Sequence, residues 1–240
     1  MDKALQNRQQ SVGLYCIEIS LFNRLDDELN GIIRHLLNNQ TLFKPRCFTP
    51  ISLFALVSRQ FRSGFGLVLQ RQPWDGFAVV RIAVESIAYG YKMLIKPELI
   101  DVYHKRGASE ADSKKYREAF ERNLFLDSLP GKDDLKTTRK LINENWSHPD
   151  RGYFSQAVSL VKDEIIIYEF EMNDQWNKLH LLHMISCYWE CLYTIRNILN
   201  DFAWLPHHAS NVNSSWSLLC TDIQEHMRIQ APQLEKLNTE

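Results

Sequence analysis

Two charged residues four positions apart, Arg81 and Glu85, interrupt the apolar segment 74–95. Side chains at that spacing share one face of a helix and can form an ion pair. A buried pair can fix how a helix packs, and removing one partner from it costs roughly 3–5 kcal/mol. Ionisable groups with displaced pKa values also cluster at functional sites. The sequence therefore leaves two interpretations open: a structural ion pair, and the charged floor of a ligand-binding pocket.

His148 lies in the sequence WSHP (146–149). The residue before a proline disfavours helical backbone angles, which predicts a helix end or a turn where the imidazole can enter a cleft. A histidine beside a carboxylate can act as a general acid or base. The alternative is a histidine that caps a helix C-terminus. The candidate catalytic residues are Arg81, Glu85 and His148, and the candidate ligand-binding set adds Tyr103 and Ser147.

Histidine and cysteine are common metal ligands, and four of them fall on one face of a single predicted helix: His180, His183, Cys187 and Cys191. Such a face could supply half of a metal site. Zinc ligands, however, usually come as close pairs from two chain segments that complete a tetrahedron. The pattern therefore favours packed thiols and histidines over a metal centre, and we predict neither a metal nor a cofactor.

Helical ribonucleases of the HEPN type use an Arg and a His a few residues apart in the chain. Here Arg139 precedes His148 by a longer interval, and Arg151 follows it instead. Neither arrangement has the HEPN spacing, so any resemblance to that type is one of architecture. A glycine-rich phosphate loop and the HExxH zinc motif are both absent from the sequence.

Length and composition predict one globular domain over residues 1–232, followed by a flexible tail over 233–240. The net charge of −1 supplies no field that would attract nucleic acid or an anionic membrane. No charge-free apolar run reaches the roughly 18 residues that a membrane span requires. The N-terminal residues lack the apolar core of a signal peptide. The five scattered cysteines are typical of reduced thiols, so we expect a cytoplasmic protein.

Apolar residues recur at helical spacing through most of the chain. They predict an all-α bundle of seven or eight helices in which the segment 75–95, apolar on most sides, is central. Residues 158–171 instead alternate in polarity, which predicts a small β-hairpin turning near residues 162 and 163, with a buried helical turn as the alternative. The predicted helices cover residues 5–39, 51–72, 75–95, 97–106, 109–126, 134–143, 174–203 and 215–230.

The segment RIAVESIAYGYKMLIKPELIDVYHKR (81–106), followed by NENWSHP (143–149), resembles bacterial helical domain families of unknown function. Their pattern has Arg-x-x-x-Glu on a central helix, then a helix with a tyrosine, then a Ser-His-Pro element. The resemblance implies a helical bundle of unknown activity, of a kind sometimes associated with bacterial stress or phage defence. The positions that match the pattern are Arg81, Glu85, Tyr103, Ser147 and His148.

Two classes of function follow from these residues. The first is a ligand-binding or protein-interaction module in which Arg81, Glu85 and His148 line a pocket, and exposed Trp204 and Trp216 help a homo-oligomer, such as a dimer, to form. Its partner would be a small molecule or a protein, without membrane or nucleic acid. The alternative is a metal-independent ribonuclease or phosphotransfer enzyme that uses His148 and Arg81.

Overall fold

The computed structural model describes residues 3–143, 158–161, 164–167, 174–205 and 210–237. Within these ranges the protein is an all-α helical bundle with nine α-helices and one hairpin, so the predicted fold class is confirmed. Ser147 and His148 lie outside the described residues. The helices are α1 (Lys3–Leu14), α2 (Cys16–Asn38), α3 (Phe48–Leu69), α4 (Pro73–Ile95), α5 (Leu99–His104), α6 (Glu110–Tyr116), α7 (Lys132–Leu141), α8 (Asp174–Asp201) and α9 (Ser210–Leu237).

Helix α4 is the central helix that the apolar pattern predicts, but one of its faces is open. It packs against α3 and α8, and Phe77, Val84 and Ile87 have no solvent-exposed surface. On the opposite side Ala78 is exposed, and Ile82 retains 47% of its surface. The expectation that neighbouring helices enclose α4 all round is therefore wrong at the face that carries Arg81 and Glu85.

Helices α3 and α4 touch through their backbones at a pair of glycines. A Cβ atom added to Gly64 would lie 2.7 Å from the carbonyl oxygen of Gly76, and one added to Gly76 would lie 2.7 Å from that of Gly64. Any larger side chain would push the two helices apart, since a carbonyl on a packed helix cannot move aside. The close crossing sets the spacing of the two helices that supply half of the residues lining the cavity described below.

The predicted helix over residues 5–39 is two helices that meet at Tyr15. Tyr15 leaves helical geometry, with φ −118° and ψ 38°. Its buried hydroxyl donates to the Asp174 carbonyl oxygen at 2.9 Å, at the start of α8. The sequence has no proline here, and the break accompanies a contact with a residue far along the chain. Gly31, the helix-weakening residue in this segment, lies inside the continuous helix α2.

The predicted β-hairpin is present. Strand β1 (Val158–Val161) pairs antiparallel with β2 (Glu164–Ile167), with Val161 opposite Glu164. The predicted turn residues 162 and 163 lie between the two strands and outside the described residues.

Several predicted helix ends differ from the structure. The predicted helix over 109–126 is shorter: α6 ends at Tyr116 and continues only as a π-helical turn over Arg117–Glu121. Helix α9 begins at Ser210 and continues through Leu237, past the predicted end near residue 230. In the part of the chain that the structure describes, no helix is both long enough and apolar enough to cross a membrane.

The expectation of two exposed tryptophans is wrong. Trp204 is 8% exposed and packs between Phe43 and Phe202, with ring centroids 5.4 and 5.3 Å away. Trp216 is half-buried beneath the Arg196 guanidinium, whose central carbon lies 4.8 Å from the ring centroid. Both rings therefore belong to intramolecular packing, and neither argues for an oligomer.

Candidate ligand-binding cavity

A cavity of about 450 Å³ opens at the exposed face of α4, between that helix and α3, α5, α6 and α7. Arginines, carboxylates and aromatic rings share its wall. The lining residues are Leu53, Leu56, Arg81, Ile82, Glu85, Ser86, Tyr89, Tyr103, Arg106, Tyr116, Phe120, Glu121, Leu124 and Arg139. The cavity thus contains three of the five residues that the sequence selected for ligand binding.

Glu85 is the hub of the charged side of this cavity. Its Oε1 accepts from Arg81 Nε at 3.1 Å, the ion pair that the spacing predicts. The same oxygen accepts from Arg139 Nη2 at 3.1 Å and from Nε at 3.4 Å. Arg139 comes from α7, so the carboxylate holds two guanidiniums from different helices together.

The charged group is less buried than the sequence suggests. The side chains of Arg81, Glu85 and Arg139 are 39%, 20% and 32% exposed. Solvent therefore reaches each member, and screening by water weakens their mutual attraction. Of the two interpretations that the sequence leaves open, this exposure favours the charged side of a ligand-binding pocket. These side chains form the wall of an open cavity, where a dissolved ligand can reach them.

The opposite side of the cavity is aromatic. The rings of Tyr89, Tyr103, Tyr116 and Phe120 pack edge to face or tilted, with centroids 5.0–6.5 Å apart. Burial raises the pKa values of the Tyr89 and Tyr116 hydroxyls. The Tyr116 hydroxyl raises the pKa of Tyr89 further, whereas the hydrogen bond with Tyr89 partly offsets the effect of burial at Tyr116. Both phenols are consequently neutral at pH 7 and can donate hydrogen bonds.

Arg106 adds a third guanidinium at the aromatic side. Its central carbon lies 4.4 Å from the Tyr116 ring centroid, and Nη1 donates to the Tyr116 hydroxyl at 3.3 Å. The planar cation thus lies over the ring in a cation–π contact. Three arginines and two glutamates line the cavity, which leaves one excess positive charge there.

Sequence reasoning did not place Arg106, Arg139 or three of the four rings at this site. Arg139 is 54 positions from Glu85, and in the sequence it was considered only against the HEPN spacing. The spacing of Tyr116 and Phe120 puts them on one helix face, but nothing local indicates that this face borders a cavity. The sequence signal that could have indicated a cavity was weak. It consists of polar residues on one side of α5 and α6, the two short helices that follow α4.

His180, His183, Cys187 and Cys191 do not form a metal site with other described residues. Among those residues, no three His, Cys, Asp or Glu side chains lie together as a metal site would require. Burial among Trp74, Phe77 and Trp176 lowers the pKa of His180 to about 3. Burial also raises the pKa of Cys187 to about 12 and that of Cys191. A neutral imidazole and protonated thiols fit a packed helix face.

A second buried polar cluster, which the sequence reasoning missed, surrounds Asp26. Ser58 and Tyr188 donate to Oδ1 at 2.6 and 2.8 Å, and Arg62 and Asn30 donate to Oδ2 at 2.7 and 3.0 Å. Asp26 is only 8% exposed. Its carboxylate joins α2, α3 and α8 in the bundle core, so the cluster is structural.

Comparison with models of protein families, with curated proteins and with solved structures finds no match to this chain. The resemblance to bacterial helical families, and to HEPN architecture, therefore stays a prediction from the sequence.

Proposed function

We propose that the protein is a ligand-binding module that holds a small organic anion with a planar ring in the cavity beside α4. The observation that carries this proposal is the pair of guanidiniums, Arg81 and Arg139, joined by Glu85 in the wall of an open cavity. Arginine is suited to this task because its planar fork matches phosphate and carboxylate groups.

Both arginines retain donors for a ligand. A guanidinium carries five N–H groups. Contacts with Glu85 use Nε of Arg81 and Nε and Nη2 of Arg139. An anionic group at this wall would also neutralise the excess positive charge of the lining. These features favour a singly or doubly charged anion over a neutral or cationic ligand.

The volume of the cavity and its aromatic side indicate the chemistry of the ligand beyond its anionic group. Small-molecule sites typically enclose roughly 300–1,000 Å³, and this cavity has about 450 Å³. Inorganic phosphate alone would leave most of it unfilled. Tyr103 and the Arg106 plane offer surfaces on which a flat ring can stack. A ring that bears one phosphate or carboxylate therefore matches both sides of the cavity.

Calorimetric titration with a graded set of probes tests this proposal. The set contains phosphate, benzoate, phenyl phosphate, nucleoside monophosphates and the uncharged nucleosides. At least one ring-bearing anion is expected to bind the wild type, and Arg139→Gln is expected to weaken it by about tenfold or more, equivalent to ~1.4 kcal/mol.

The matched control is Arg122→Gln, which removes an exposed arginine outside the cavity lining. It should leave the affinity unchanged. Absence of binding by every ring-bearing anion, or equal weakening by the two variants, would contradict the proposal.

The wider predictions from the sequence are carried forward as proposals. They comprise a cytoplasmic location, a homo-oligomer and a role in bacterial stress or phage defence. All five cysteines are free thiols in the structure, which is compatible with a reducing compartment. Light scattering coupled to size-exclusion chromatography tests the oligomer: a monomer mass at high micromolar concentration would contradict it.

The enzymatic alternative depends on His148, which lies outside the described residues. It remains a prediction that His148 and Arg81 cleave RNA without a metal. Purified protein and its His148→Ala variant should be assayed on RNA and single-stranded DNA in the presence of a chelator. Cleavage by the wild type alone would favour this alternative, whereas equal inactivity would remove it.

A further inference from the structure

Lys92 is the buried ammonium group of α4. It is 2% exposed, although lysine is almost never fully buried without partners. Its Nζ donates to the carbonyl oxygen of Ala119 at 2.6 Å and to that of Asn123. The same nitrogen lies 5.8 Å from the centroid of the Phe120 ring. Lys92 therefore binds the backbone on both sides of Phe120, a residue of the cavity wall.

These carbonyls belong to an irregular piece of helix. Helix α6 begins with a regular cap, in which the Ser109 hydroxyl accepts from the Asp112 amide at 3.1 Å. After Tyr116 the helix widens into the π-helical turn Arg117–Glu121, where the Arg122 amide bonds to the Arg117 carbonyl at 3.1 Å. The last carbonyls of a helix lack partners within it. Lys92 supplies partners to two of the carbonyls at this end.

The widened turn determines which side chains reach the cavity. A π-turn holds one more residue than an α-turn, and such turns occur often at functional sites. If it relaxed to an α-turn, every following residue would rotate by about 100° around the helix axis. Glu121 and Leu124 line the cavity in the observed register. That rotation would carry both away from it and change its charge and shape.

We infer that Lys92 is a positioning residue for the cavity: its amine holds the π-helical turn in the register that places Phe120, Glu121 and Leu124 in the ligand-binding wall. This inference rests on the proposed function for the role of the wall, whereas the hold on the turn is a property of the free protein. Lys92 itself does not line the cavity, so it acts on a ligand only through this segment.

The chemistry of an amine suits this position. Burial, with a smaller contribution from Lys96, lowers the pKa of Lys92 to about 8. An ammonium has three N–H donors, and the neutral amine still has two, one for each carbonyl. The hold on the turn therefore survives deprotonation, whereas a methionine of similar length has no donor to offer.

Hydrogen exchange and ligand affinity together test the inference on the full chain. The variants are Lys92→Met, the exposed-neighbour control Lys96→Met, and Phe77→Leu, which weakens the main core away from the cavity. Exchange is followed by mass spectrometry on peptides that cover residues 116–124. Affinity is measured for the ring-bearing anion that binds the wild type best, at a temperature where every variant is folded.

We expect Lys92→Met to speed exchange in residues 116–124 selectively and to weaken the probe by about tenfold. Lys96→Met should change neither, and Phe77→Leu should lower the melting temperature with affinity retained. Unchanged protection of residues 116–124 in Lys92→Met would overturn the inference, even if the probe bound more weakly. If no probe binds the wild type, the proposed function fails, and the exchange result alone decides whether Lys92 holds the turn.

Should Lys92→Met prevent folding, Lys92→Gln replaces it as the test variant. Its amide lies one bond closer to the main chain than the amine does, so its N–H groups fall short of the Ala119 and Asn123 carbonyls, and exchange in residues 116–124 should again rise above that of the rest of the protein. Protection in Lys92→Gln that matched the wild type throughout, with equal probe affinity, would overturn a role for the amine in setting the register.

Discussion

At the scale of single residues, Glu85 shows how solvent exposure limits the contribution of an ion pair to folding stability. One carboxylate oxygen serves Arg81 from the same helix and Arg139 from another. All three side chains remain partly exposed, so water competes with each contact. The three charged side chains therefore contribute little to the net stability of the fold. They are better suited to ligand recognition, because Glu85 orients the guanidinium donors towards the cavity.

Glu85→Gln should consequently lower the free energy of unfolding by only about 1 kcal/mol or less. The sequence alone, which suggested a buried pair, predicted a substantial loss. Urea denaturation measures the change. Glu118→Gln is the control, since its pair with Arg122 is exposed and 3.9 Å long, and it should have no measurable effect. A loss above roughly 3 kcal/mol would mean that the carboxylate is effectively buried.

His180 gives the clearest pH dependence. Burial lowers its pKa from 6.5 to about 3 in the folded protein. Between these values the unfolded chain binds more protons, so stability must fall as the pH falls from about 6.5 towards 3, by at most ~1.4 kcal/mol per pH unit. Replacing His180 by Leu should flatten the plot of unfolding free energy against pH over this range.

The exposed His104 provides the comparison. His104→Leu should keep the wild-type slope. Parallel curves for wild type and His180→Leu would show that the His180 imidazole is accessible to protons in the folded state.

At the scale of elements, close approach and irregular turns matter more than helix propensity. The α3–α4 contact depends on two glycines whose backbones nearly touch. The π-helical turn after α6 depends on an amine from α4. Tyr15 breaks a helix whose local sequence would allow it to continue, and it bonds to the backbone of α8. Each irregularity is thus held by another element.

Gly64→Ala should destabilise the protein by roughly 1–3 kcal/mol, the usual range for overpacking. The new Cβ would lie 2.7 Å from a carbonyl oxygen and from a Val80 methyl group. Gly66→Ala, two positions along the same helix, meets nothing within 4 Å and should stabilise by about 0.5–1 kcal/mol. Thermal unfolding of both variants measures the contrast, and equal effects would refute the close crossing.

At the scale of the whole molecule, buried polar groups connect helices that are distant in sequence. Asp26 receives hydrogen bonds from residues of α2, α3 and α8. Arg196 of α8 pairs with Glu28 of α2 and covers Trp216 of α9. Such pairings specify which helices are neighbours, in addition to the apolar packing around Phe61 and Tyr188, whose rings stack 4.2 Å apart.

Asp26→Ala should therefore lower the unfolding free energy by about 3 kcal/mol, because it leaves the Ser58 and Tyr188 hydroxyls buried without their acceptor. The neighbouring Asp27 is exposed, and Asp27→Ala should change stability by no more than about 0.5 kcal/mol. Chemical denaturation of the two variants gives the comparison. A similar, small effect for both would argue that water replaces the carboxylate in the cluster.

Local pattern was sufficient for the helices, the hairpin and the Arg81–Glu85 pair, since each depends on residues within a few positions of one another. It was insufficient for the cavity. Arg139 and Tyr116 reach Glu85 and Tyr89 only through tertiary packing, and no local spacing encodes that approach. In the sequence nothing distinguishes Lys92, because its partners are backbone carbonyls, which have no sequence signature.

A crystal structure of the protein with its tightest-binding ring-bearing anion is the most direct measurement of the central claim. Electron density for the phosphate or carboxylate is expected within hydrogen-bond distance of the guanidiniums of Arg81 and Arg139. The ring should lie against Tyr103 or Arg106. Density for the bound anion elsewhere on the molecule, with this cavity containing only solvent, would contradict the account.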